Sequence, residues 1–140
     1  MANEEKMSEE LAMQEIERWA DDNDIDLYVT VKDGTKLLDA TAPKLIKAIR
    51  RGSLIVNDNC EFEYTVSDKS PEGYAGTKLV IKRPTSAAYM ALDSYKDQQS
   101  VHTTFALLSS MTGRDVGWFA KLDNIDYKIL NIITSFFIAG

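Results

Sequence analysis

The pattern of apolar residues changes character along this chain at Pro84. Before it, the pattern reads as short strands with a few helices; after it, apolar positions recur at helical spacing throughout. Leu79-Val80-Ile81 is the last of the short runs. Three aliphatics in a row, two of them β-branched, predict a strand buried on both faces. Lys82 and Arg83 close the run, and Pro84 suits the first turn of a helix because its φ is fixed and its missing N–H is not needed there. The pattern predicts an α+β fold. An N-terminal helix and a small, mostly antiparallel sheet of hairpins (residues 8–83) precede a C-terminal helical bundle (residues 84–140), all within one domain of 140 residues.

Ser8 is the expected N-cap of the first helix, with Leu11, Ile16 and Trp19 facing inward and the Asp21–Asp24 run ending it. Leu27 to Val31 alternates as a strand would. Lys32-Asp33-Gly34-Thr35 carries the Asp-Gly signal of a tight hairpin, and Lys36-Leu37-Leu38 is the expected return strand. Thr41 should then cap a short helix with Pro43 in its first turn. Leu45, Ile46 and Ile49 form its inner face, and Gly52 is its stop. Leu54-Ile55-Val56 and Cys60 to Val66 read as two strands around an Asn57-Asp58-Asn59 turn, with Phe62, Tyr64 and Val66 on the buried face. Beyond Pro84, helices are expected around Ala87 to Tyr95 and from Val101 to Met111. A polar break at Lys96–Gln99 separates them, and Gly113 is the second stop. Val116, Trp118, Phe119 and Leu122 form a short apolar element. Asp123 or Asn124 caps a last helix whose Ile125, Ile129, Ile132, Ile133, Phe136 and Phe137 cover more than one face.

Charge narrows the field. The net charge is −6 and the pI near 4.8, a poor match to phosphate neutralisation, so a general nucleic-acid binder is not expected. Lys44, Lys47, Arg50 and Arg51 are the one basic helix that a small DNA-binding regulator would use. A single cysteine, Cys60, excludes an intrachain disulfide and suits a reducing compartment. The acidic N-terminus has no export signal, and the apolar stretch Ile129–Ala139 is shorter than the roughly 20 residues that span a bilayer. The expectation is a cytoplasmic protein that binds no membrane.

Candidate chemistry is sparse. Asp22 to Asp33 fails as a calcium loop because Leu27 stands where glycine is needed. One histidine, His102, and one cysteine cannot make a His/Cys metal site, and no residue beside either would orient a nucleophilic pair. Gly73-Tyr74-Ala75-Gly76 lacks the spacing of a phosphate loop. Glu61 and Glu63 read as the wet face of a strand, not as an acid/base pair. No catalytic residue, cofactor or metal is expected. Lys82 and Arg83 either meet an acidic partner or pair with the acidic N-terminal helix, and the second is the plainer reading.

Three residue groups carry a resemblance. The aliphatic strand ending in Lys82-Arg83-Pro84-Thr85 is followed by Leu107-Leu108-Ser109-Ser110-Met111-Thr112-Gly113, similar to a Leu-Leu-x-x-Leu-Thr-Gly helix end. Leu122-Asp123-Asn124-Ile125-Asp126-Tyr127 then resembles a Leu-Asp-x-x-Asp-Tyr opening of a last, apolar helix. In this order, over about residues 61–139, they resemble the tail assembly chaperone family of tailed, mainly contractile-tail, bacteriophages. Residues 1–56 have no counterpart in that pattern.

The resemblance implies a non-enzymatic protein of the host cytoplasm that is absent from the mature particle. Its partners would be the phage tape measure protein, which it keeps soluble, and the tail tube protein, which it helps recruit. Self-association is a further option. Partner binding is then expected at Trp118, Phe119, Ile129, Ile133, Phe136 and Phe137, set against the plainer reading that these are core. Removing Phe136 to Gly140 should leave folding largely intact and abolish tape-measure binding. The alternative function is a structural component of a phage tail or injection particle, such as a connector or tube-associated subunit.

Overall fold

The computed structural model describes residues 7–30, 34–92 and 101–139. Among them the order is α1 (Glu9–Asp22), α2 (Leu37–Arg51), β1 (Leu54–Val56), β2 (Phe62–Thr65), β3 (Lys78–Ile81), α3 (Ser86–Leu92), α4 (Val101–Thr112), α5 (Val116–Phe119) and α6 (Asn124–Ala139). The fold is α+β, with six helices and one antiparallel sheet of order β1-β2-β3.

α1 starts where a cap is available: the Ser8 side chain accepts from the Leu11 N–H. Its buried stripe is Ala12, Ile16, Trp19 and Ala20. Leu11 is on the other side, 51% exposed, so the inward assignment of Leu11 fails by one position and Ala12 takes its place.

The return strand expected at Lys36-Leu37-Leu38 is replaced by a different device. Val31, Lys32 and Asp33 lie outside the described residues, but Thr30 and Lys36 form only an isolated bridge. Leu37 and Leu38 do not return as a strand; they are the first turn of α2, which begins well before Thr41. Lys36, at the N-cap, provides no side-chain cap. The first N–H groups of a helix lack intrahelical partners. Here the Leu37 N–H donates to the Val29 carbonyl at 2.8 Å and the Leu38 N–H to the Leu27 carbonyl at 3.1 Å. The segment read as a strand is a backbone cap for α2. Thr41, expected as the cap, instead donates its hydroxyl to the Leu37 carbonyl at 2.8 Å. Pro43 sits inside the helix rather than in its first turn. Leu45 and Ile49 are buried as expected, and Gly52 ends α2 with φ of 85°, a backbone state open chiefly to glycine.

In the sheet, Leu54 faces Tyr64, and Tyr64 faces Leu79. Phe62, Tyr64, Leu79 and Ile81 are buried, whereas Val80 is half-buried. β3 is therefore an edge strand with one wet face, not a strand buried on both sides. Residues 82–85 separate it from α3, which starts at Ser86, so Pro84 precedes the helix instead of opening it. The Lys82 N–H donates to the Met111 carbonyl at 2.9 Å and ties this joint to the end of α4. Lys96–Gln99 and Tyr95 lie outside the described residues. α4 ends at Thr112, with Gly113 at a φ of 80° as the stop.

The core is one continuous cluster drawn from both sides of Pro84: Trp19, Phe62, Leu79 and Ile81 meet Leu107, Leu108, Ile133 and Phe136. Trp19 is its pivot. Its ring centroid is 4.5 Å from Phe62, 5.7 Å from Phe136 and 5.4 Å from Phe137, the last two edge-on.

Candidate interaction surfaces and the Asp126 anchor

The six residues expected to bind a partner divide between interior and surface. Phe119, Ile129, Ile133 and Phe136 are buried in the fold and are spent on the core. Trp118 and Phe137 are half-buried and already engaged. Tyr74 packs 5.0 Å from Trp118, the Arg114 guanidinium stands 4.6 Å over its ring, and Phe137 packs on Trp19. The width of the apolar surface on α6 has a structural cause: sheet, α1, α2 and α4 surround it. The chain end is not a free apolar tail up to Phe136, and removing that residue would open the Trp19 cluster.

Exposed apolar residues are scattered over the surface, and three of them lie where α3 meets the end of α6. Met90 is 74% exposed, Ile138 50% and Tyr89 39%. The Tyr89 hydroxyl donates to the Phe137 carbonyl at 3.2 Å, which sets the middle of α3 beside the end of α6. Tyr89, Met90 and Ile138 therefore form the rim of one end of the molecule.

The polar centre of the fold is Asp126, which sequence reasoning passed over. It is fully buried in the first turn of α6. One carboxylate oxygen accepts from the Tyr64 hydroxyl at 2.5 Å and the Ser67 N–H at 2.8 Å. The other accepts from the Ser67 hydroxyl at 2.8 Å and the Ser70 hydroxyl at 2.6 Å. Ser70 Oγ in turn accepts from the Asp123 N–H at 2.8 Å. Burial of the phenol, reinforced by the carboxylate, pushes the Tyr64 hydroxyl far above the usual tyrosine range. Every hydroxyl here donates to the carboxylate, so the cluster is a lock between sheet, loop and last helix. Asp123 is the cap of α6: its side chain accepts from the Ile125 N–H at 2.9 Å, and its carbonyl from the Asp126 and Tyr127 N–H groups. The signal was in the sequence as the pair Asp123 and Asp126. What was missing is that a loop 59 residues earlier supplies the donors.

Arg83 takes the plainer of its two expected roles. Its guanidinium pairs with the Asp22 carboxylate at 3.2 Å and donates to Asn23 Oδ1 at 2.9 Å at the end of α1. Cys60, with φ of 57°, lies in the β1–β2 turn with its sulfur 3.2 Å from the Arg18 guanidinium, while His102 is in the first turn of α4. Glu61 and Glu63 both accept from the Asn57 side-chain amide, at 3.2 and 2.9 Å, which ties the turn. Among the described residues no cluster of His, Cys, Asp and Glu has the makings of a metal site, and no helix is long and apolar enough to cross a membrane.

Among the described residues, two surface grooves stand out. One, of about 510 Å³, has mixed charge, with Glu9 and Asp39 facing Lys47 and Arg50. The other, of about 460 Å³, runs between α2 and α6 over β2, and four of its five charged lining residues are cations. Comparison of the chain with protein families, with curated proteins and with solved structures finds no match.

Proposed function

We propose that this chain is a non-enzymatic tail assembly chaperone of a tailed bacteriophage. It acts in the host cytoplasm, holds the apolar helices of the tape measure protein in solution and helps to recruit tail tube subunits. The motif order from Lys82-Arg83-Pro84-Thr85 to Asp126-Tyr127 suggests the reading. The observation that carries it is the apolar rim of Tyr89, Met90 and Ile138 on a protein of net negative charge. Such a rim binds many similar apolar helices weakly, and the net charge of −6 keeps the complex soluble. The proposed contact thus moves from the buried Phe119, Ile129, Ile133 and Phe136 to the exposed residues beside Phe137.

The test is co-expression with a tape measure protein of a tailed phage. Wild-type chain should raise the soluble yield of that protein. Met90→Glu with Ile138→Glu should abolish the gain at an unchanged melting temperature. Equal tape-measure solubility with and without the chain would end the reading. Finding the chain in purified particles would favour a structural tail component instead.

A further inference from the structure

The groove between α2 and α6 has a chemistry unlike the rest of the surface. Lys44, Lys47 and Arg51 recur at helical spacing on one face of α2, and Lys128 faces them from α6. All four are exposed, and none makes an ion pair among the described residues. Asp68 is the one carboxylate among the residues lining the groove. Between the cations, Ile125 stands half-exposed against Ile129. Four unpaired like charges around one groove repel one another, and an acidic occupant relieves that repulsion.

We propose that this groove docks an acidic segment of a partner protein, one that brings carboxylates to Lys44, Lys47, Arg51 and Lys128 and an apolar side chain to Ile125. A peptide fits better than a nucleic acid for two reasons. The groove pairs its cations with an isoleucine wall, for which a phosphate backbone has no counterpart. The chain's net charge of −6 also disfavours a long polyanion that extends beyond the groove. The walls are rigid: α2 and α6 pack together, and Tyr64 and Ser67 at the groove are fixed by Asp126. The site is separate from the Tyr89–Met90–Ile138 rim and stands whether or not the tape measure protein is the rim's partner.

The test is fluorescence anisotropy with three labelled probes: an amphipathic peptide of Glu, Ala and Leu, the same peptide with Gln for Glu, and an oligothymidine of equal length. The acidic peptide should bind, weaken as salt rises and outcompete both others. Lys128→Glu and the double variant Lys47→Glu/Arg51→Glu, on opposite walls, should each lower its affinity by about tenfold or more. Lys121→Glu, the same charge change outside the groove, should leave it unchanged. Circular dichroism confirms that each variant folds. Equal loss with Lys121→Glu, equal binding of the Gln peptide, or preference for the oligothymidine overturns the proposal. Salt-sensitive self-association abolished by Lys128→Glu does so too, because the occupant is then a second copy of this chain.

Discussion

The Tyr64 hydroxyl donates a 2.5 Å hydrogen bond to Asp126 across a separation of 62 residues, and both groups are buried. This bond joins the central strand to the last helix. Buried polar groups lose solvation that only such partners replace. The lock therefore specifies how α6 sits on the sheet, and its removal has a defined cost.

Asp126→Ala leaves the hydroxyls of Tyr64, Ser67 and Ser70 and the Ser67 N–H without their acceptor. We expect a loss of about 3 kcal/mol in urea unfolding. Tyr64→Phe removes one donor of the four and should cost only about 1 kcal/mol. Equal costs for the two variants would mean that the carboxylate is not the organising group.

Alkaline pH should reveal the same bond. The folded state holds the Tyr64 proton well above the ordinary value of 10.0, because the phenol is buried and next to a carboxylate. The unfolded chain releases that proton near 10, so above this pH the unfolded state binds fewer protons than the native one. Stability from this group is fully present below pH 10 and falls as pH rises, by at most about 1.4 kcal/mol per unit. Urea midpoints measured on both sides of pH 10 should fall more steeply for wild type than for Tyr64→Phe. Parallel slopes would refute the assignment.

The chain end divides sharply at Phe137. Phe136 is fully buried against Trp19, so Phe136→Ala should cost about 3–5 kcal/mol, and deletion from Phe136 onward should unfold the protein or nearly so. Deletion of residues 138–140 removes the exposed Ile138 and should leave the melting temperature close to wild type. Thermal melts of the two truncations decide this directly.

The Arg83–Asp22 pair should matter little. Both side chains are largely exposed, so solvent screens the charges, and holding them costs side-chain entropy. Arg83→Ala is expected to change stability by about 0.5 kcal/mol or less. A loss several times larger in denaturant titration would show that the hydrogen bonds to Asn23 and the Asp22 carbonyl carry the joint.

Local pattern alone determined much of this protein. Strict alternation at Phe62, Tyr64 and Val66 fixed the strand and its buried face, because side chains on a strand alternate sides. Ser8, Gly52 and Gly113 marked helix ends, because capping and positive φ are properties of one or two residues. The return strand expected at Leu37-Leu38 did not form, because apolar spacing alone does not tell a strand from the first turn of a helix. The free N–H groups of α2 drew Val29 and Leu27 into a cap instead. Leu79-Val80-Ile81 misled because the sequence does not say which face of β3 the helices cover, and Val80 shares the less covered face with Lys78. Most of the residues expected to bind a partner on α5 and α6 are buried, because hydrophobicity shows that a face is covered, not by what. Tertiary packing covers Phe119, Ile129, Ile133 and Phe136 with the chain itself and leaves Met90 and Ile138 bare. It also turned Asp126 from a favourable charge at a helix start into the acceptor that ties sheet, loop and last helix together. Neither a buried carboxylate's donors nor a cationic groove between two helices can be read from neighbours in sequence, because both are assembled from residues the chain brings together only on folding.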